Sequence, residues 1–87
     1  MDVSNDTNTD SKYKVSGGGG AVPMPKGRWL SLKARKKIKH SPKPPGPWTV
    51  SFSVNGHEFV GKADTANAQV KLTKTKGQFH VAVCEVF

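Results

Sequence analysis

The sequence predicts a mainly β fold. A small four-stranded antiparallel meander spans residues 48–87, preceded by a disordered tail over 1–26 and a basic arm with a Pro-rich spacer over 27–47. Three observations predict it. Apolar and polar residues alternate on both sides of Asn55-Gly56, and again on both sides of Lys76-Gly77. The first 26 residues hold too little apolar surface to offset the entropy of ordering them.

In chain order, residues 1–25 are rich in Ser, Thr, Asn, Asp and Gly and carry a net charge of −1. They run into Gly17-Gly18-Gly19-Gly20 and Pro23-Met24-Pro25, the composition of a flexible linker. The acidic tip reads as a solvated segment; the sharper reading is that it competes weakly with an acidic ligand for the basic residues downstream. Residues 26–43 hold Lys26, Arg28, Lys33, Arg35, Lys36, Lys37, Lys39 and Lys43 and no acid. Their +8 equals the formal charge of the whole chain. Leu30, Ala34 and Ile38 recur every four residues, so they share one face of a helix that Pro42 would end. The apolar stripe is thin and the charges repel, which leaves an isolated helix marginal in water. Trp29-Leu30-Ser31-Leu32 offers the alternative of a short strand added to the sheet. Pro42 to Pro47 is expected to form an extended polyproline II spacer.

The β region follows. Trp48, Val50, Phe52 and Val54 alternate with Thr49, Ser51 and Ser53. Asn55-Gly56 suits a two-residue type I′ turn, which sets Val54 opposite His57, Phe52 opposite Phe59 and Val50 opposite Gly61. After a turn-like stretch at 63–67, a third strand points Val70 and Leu72 inward and Lys71 and Thr73 outward. Lys76-Gly77 turns the chain into a fourth strand carrying Phe79, Val81 and Val83. Forty residues without a disulfide or metal lie near the lower limit for independent folding. The apolar face therefore needs a cover: the 29–38 segment, a ligand, or a second copy in a homodimer through the sheet.

Enzymatic function finds little support. A 9.4 kDa chain with 34% hydrophobic residues has no room for a large enclosed pocket. It lacks a G-x-x-x-x-G-K-[ST] loop and any recognisable Ser-His-Asp context. No cofactor is expected. His80 and Cys84 share a strand face but stand about 13 Å apart along it, too far to share one zinc, so no metal is expected either. Cys84 is the sole cysteine, no apolar run approaches a membrane span, and the polar N-terminus does not resemble a secretory signal. These features predict an intracellular protein, cytoplasmic or nuclear. Without a secretory route the Asn5-Asp6-Thr7 sequon carries little weight.

The acid-free basic run is the main functional signal. Clustered cations neutralise phosphates and release counterions, giving salt-dependent affinity with no sequence preference. Lysine outnumbers arginine, which argues against bidentate base readout. The candidate binding residues are Lys26, Arg28, Trp29, Lys33, Arg35, Lys36, Lys37, Lys39, Lys43 and Trp48, extended by Lys71, Lys74 and Lys76. Trp29 and Trp48 among the cations suggest base stacking, hence a single-stranded ligand, RNA or DNA. The run also fits a nuclear localisation pattern, and binding to an anionic membrane surface ranks below both. Lys39 to Pro45 contains a basic residue followed by x-x-Pro-x-x-Pro, more simply a linker than an SH3 ligand, and Ser41-Pro42 could accept a phosphate. Glu85-Val86-Phe87 reads as the end of the last strand rather than a docking peptide.

A polar N-terminus, a basic middle and a β C-terminus together resemble the layout of small RNA-binding accessory proteins of plant RNA viruses, such as cell-to-cell movement proteins. The resemblance covers the chain without resting on any motif, and it implies a non-enzymatic RNA-binding role in a host cell. The alternative is a phage or viral inhibitor that pairs a sheet edge with a host protein.

Overall fold

The computed structural model describes residues 1–17, 29–40, 46–65 and 67–85. Among them the chain is mainly β, with eight strands and no helix: β1 (Asp2–Asn5), β2 (Ser11–Ser16), β3 (Leu30–Leu32), β4 (Lys37–Lys39), β5 (Trp48–Val54), β6 (His57–Ala63), β7 (Gln69–Thr75) and β8 (Gln78–Cys84). They form two four-stranded sheets, β4-β1-β7-β8 and β3-β2-β5-β6. All pairings are antiparallel except β1 with β7.

Both hairpins read from the sequence are present. Phe52 lies opposite Phe59, Val54 opposite His57 and Val50 opposite Gly61. Asn55 and Gly56 take φ of 52° and 80°, and Lys76 and Gly77 take 51° and 78°, the left-handed pairs a two-residue loop requires. Val70 and Leu72 are buried and Lys71 is exposed.

The single meander is corrected. β6 and β7 do not pair; each hairpin belongs to its own sheet. Each has one apolar face, and stacking the two faces buries both, whereas one four-stranded sheet would leave its face in water. Gly61 permits the close approach: a β-carbon there would stand 2.6 Å from Val81 Cγ1 and 3.0 Å from Val83 Cγ2. Phe59 reaches across to Phe79, with ring centroids 5.8 Å apart. The apolar face for which a second copy was a candidate cover is thus covered from within the chain.

The disordered tail is corrected too, over the part described. β1 inserts between β4 and β7, and β2 pairs with β5. Val3 and Tyr13 are buried with Leu32, Val50, Phe52, Ala63, Ala68, Val70 and Leu72 in one core. One buried apolar side chain in each short strand, Val3 in β1 and Tyr13 in β2, suffices here, because the neighbouring strands offer each a ladder of backbone partners. Residues 18–26 of that expected tail lie outside the described residues.

The helical reading of the arm fails for a local reason. Arg35 adopts φ of 61°, a conformation no helix contains, and the 33–36 turn it forms splits the arm into β3 and β4. Leu32 and Ile38 turn inward while the lysines between them stay in water. The alternative of a short strand at 30–32 holds, with β2 as its neighbour. The polyproline spacer, the SH3-like motif and Ser41-Pro42 fall largely on 41–45, outside the described residues, as do Val86 and Phe87.

Candidate nucleic-acid interface

The arm crosses from the edge of one sheet to the edge of the other. β3 borders β2 in the second sheet and β4 borders β1 in the first. The turn between them is fastened to the 6–10 loop by backbone groups. Arg35 N–H donates to the Thr7 carbonyl (3.2 Å), Ala34 N–H to the Asp10 carboxylate (2.9 Å), and Asn5 N–H to the Lys36 carbonyl (2.9 Å). That loop is held in turn by Asn5, whose buried amide donates to Thr9 O, Ser11 Oγ and Leu32 O and accepts from Thr7 N–H and Thr7 Oγ1. The Asn5 amide is therefore unavailable for glycosylation in the folded chain.

On the outer face of the first sheet the register creates a row of three residues. Ser4 lies opposite Lys37 on one side and opposite Lys71 on the other. A shallow depression of about 210 Å³ opens there, lined by Ser4, Asn5, Asp6, Arg35, Lys36, Lys37 and Lys71. A neighbouring hollow shares Asp6 and Arg35 and adds Lys74. Lys39 sits one step along β4, opposite Asp2. Lys71, far from the arm in sequence, thus joins its cations because β1 bridges β4 and β7.

Other expected residues are placed elsewhere. Lys33 is exposed at the end of β3, and Lys76 at the tip of the β7–β8 hairpin. Trp29 is half-buried beside β2, with Lys14 Nζ 4.8 Å from its ring centroid. Trp48 begins β5 and packs its ring on Gly46, where a β-carbon would come within 3.0 Å of it. Neither tryptophan lines the depressions that hold the arm's cations. Lys26, Arg28 and Lys43 lie outside the described residues.

The carboxylates were not singled out as site residues. Asp2 pairs with Lys37 (3.7 Å), Asp6 with Arg35 (3.5 Å), and Asp10 caps the Ala34 amide. Their spacing of four, set against an acid-free run of cations, was the available signal. At the other end of β4, His40 N–H donates to the Met1 carbonyl and the His40 ring lies edge-on to Tyr13 at 5.9 Å. Burial, and then the nearby amino terminus, push the His40 imidazole below its ordinary pKa; burial pushes the Tyr13 phenol up.

Among the described residues no group of three or more His, Cys, Asp or Glu could hold a metal, and no helix is long and apolar enough to cross a membrane. No protein-family model, curated protein or solved structure matches the chain.

Proposed function

We propose that this is a non-enzymatic nucleic-acid-binding protein that holds phosphates on the outer face of the β4-β1-β7 strands. One observation supports the reading: Arg35, Lys36 and Lys37 of the arm and Lys71 of β7 line a single depression in which Asp6 is the one acid, with Asp2 beside it paired to Lys37. A surface on which four cations face two acids attracts a polyanion, and lysines on a β face make phosphate contacts without reading bases. Sequence-independent binding follows, steeply weakened by salt.

Binding of a host protein through a sheet edge draws less support. The edges β3 and β4 are three residues long, and β4 carries Lys37 and Lys39, features that discourage strand addition. The long strands β6 and β8 approach one another at Gly61 and Val81. A viral accessory role rests on the layout alone, and the polar N-terminus of this chain contributes a strand to each sheet.

The test is fluorescence anisotropy with labelled oligonucleotides across a salt series. The triple variant Arg35→Gln/Lys36→Gln/Lys37→Gln should lose most of the affinity and flatten the salt slope, by about 0.9 per phosphate contact removed. Lys62→Gln, exposed on β6, should leave both unchanged. Full binding by the triple variant overturns the proposal.

A further inference from the structure

We infer that the ligand of this face is a duplex, gripped through the phosphates of its backbone, rather than a single strand held by stacked bases; the inference rests on the nucleic-acid reading above. Proteins that hold single strands pair a cationic groove with aromatic side chains on which successive bases stack. The face here separates those elements. Its outward residues are the lysines of β4, Asp2 and Ser4 of β1, Lys71 and its polar neighbours on β7, and Gln78, His80, Ala82 and Cys84 of β8. Among the described residues His80 is the one ring on it.

The described Phe, Tyr and Trp rings lie elsewhere. Tyr13 and Phe52 are buried in the core. Phe59 and Phe79 pack on each other between the sheets, and Phe79, whose ring lies 5.1 Å from Lys74 Nζ, belongs to the inward row of β8 rather than to the outer face. Trp48 covers Gly46, and Trp29 lies with Lys14 on the other sheet. The outer face that carries Lys37 and Lys71 therefore offers no Phe, Tyr or Trp ring on which bases could stack.

The cations are also laid out in two dimensions. Lys37 and Lys39 are two residues apart on β4, about 7 Å, and Lys37 and Lys71 flank β1 across two strand spacings, about 10 Å. A lone strand offers one row of phosphates and a duplex offers two. Ser4 between Lys37 and Lys71 leaves the centre of the face low and able to donate a hydroxyl to a phosphate oxygen.

The experiment compares 20-mer duplex DNA, duplex RNA and the corresponding single strands by anisotropy at matched salt. The wild-type protein and Lys37→Gln/Lys71→Gln are compared, with circular dichroism confirming the fold. We expect at least one duplex to bind about tenfold or more tighter than its single strands. The double variant should lose that preference, and its salt slope should fall by about 1.8 for two contacts. Single strands bound more tightly than duplexes, with Trp29→Ala removing the difference, would overturn the inference and leave the nucleic-acid reading standing. A duplex preference that survives in a folded double variant also overturns it. Binding to none of the four at low salt overturns both.

Discussion

Replacing Asn5 by Ala should destabilise the protein more than its small size suggests. The residue is 1% exposed and makes five side-chain hydrogen bonds in the 5–11 loop and to β3. Not all five partners would be left stranded. Leu32 O keeps the Ser11 hydroxyl at 2.9 Å, and Thr9 O can keep the Thr7 hydroxyl at 3.1 Å. The Thr7 amide loses Asn5 Oδ1, at 3.0 Å, inside a site where Thr7 is itself buried. One orphaned donor costs about 1–3 kcal/mol, and the net loss of the remaining bonds adds about 1 kcal/mol or more. A total of about 3 kcal/mol is a large share of what a domain of this length commonly has to spend, roughly 4–13 kcal/mol. It corresponds to a fall of about 12–24 °C in Tm.

The assay is urea unfolding followed by tryptophan fluorescence, checked by thermal circular dichroism. Asn8→Ala, an exposed change in the same loop, is the control and should stay close to wild type. A loss below about 1 kcal/mol for Asn5→Ala would refute the reasoning, because it would mean the buried amide is dispensable to the loop. The variant should also weaken nucleic-acid binding, since the loop it loosens presents Thr7 O to the Arg35 amide.

Other outcomes follow from the same geometry. Asp2→Asn/Asp6→Asn releases Lys37 and Arg35 and should raise oligonucleotide affinity several-fold at low salt, measured by anisotropy; an unchanged affinity would mean those pairs do not oppose the ligand. Gly61→Ala forces a methyl against Val81 and should cost about 1–3 kcal/mol in chemical unfolding, partly recovered in Gly61→Ala/Val81→Ala. The folded-state pKa of His40 is lowered, so the unfolded chain takes up its proton first as pH falls. Stability held above about pH 6.5 should therefore decline below it, and His40→Gln should remove that part of the decline in unfolding curves taken across the range. Tyr13 works in the opposite sense: its raised pKa holds stability below about pH 10 and forfeits it as pH climbs further.

Strand periodicity and turn chemistry are local signals, and the two hairpins they specify were legible in full. Which sheet each hairpin joins is decided by what stacks on what, and that lies outside any window of alternating residues. Gly61 shows the difficulty: in the sequence it is a gap in the strand pattern, and its meaning as the point where Val81 approaches emerges only when two faces meet. The N-terminal strands were hidden for another reason. Val3 stands alone in a polar stretch and Tyr13 and Val15 alternate over only one short step, so composition argued for disorder, and the buried Asn5 read as one more polar residue. The cationic cluster was legible as composition, including the extension to Lys71, but the tryptophans near it in sequence are carried to other surfaces by β2, β3 and β5.

The same acids that made the N-terminus look solvated help explain how the five described cations of the arm, Lys33, Arg35, Lys36, Lys37 and Lys39, can sit so close together in a folded chain. A helix would have set the arm's charges against one another within each turn. Divided into two edge strands, the arm instead meets Asp2, Asp6 and Asp10 across β1 and its loop. Two of those contacts are ion pairs at the surface, Arg35–Asp6 exposed on both sides and Lys37–Asp2 with a half-buried carboxylate, and pairs of this kind contribute little to stability and are weakened by salt. The positions of β4 and the turn are set chiefly by backbone hydrogen bonds, from Asn5 to Lys36, from Arg35 to Thr7 and from His40 to Met1, which a polyanion does not disturb. A phosphate can therefore take Lys37 and Arg35 from their carboxylates while the strand that carries them stays in place. On the proposed reading, a polyanion would meet a face already ordered and would exchange these two ion pairs for phosphate contacts.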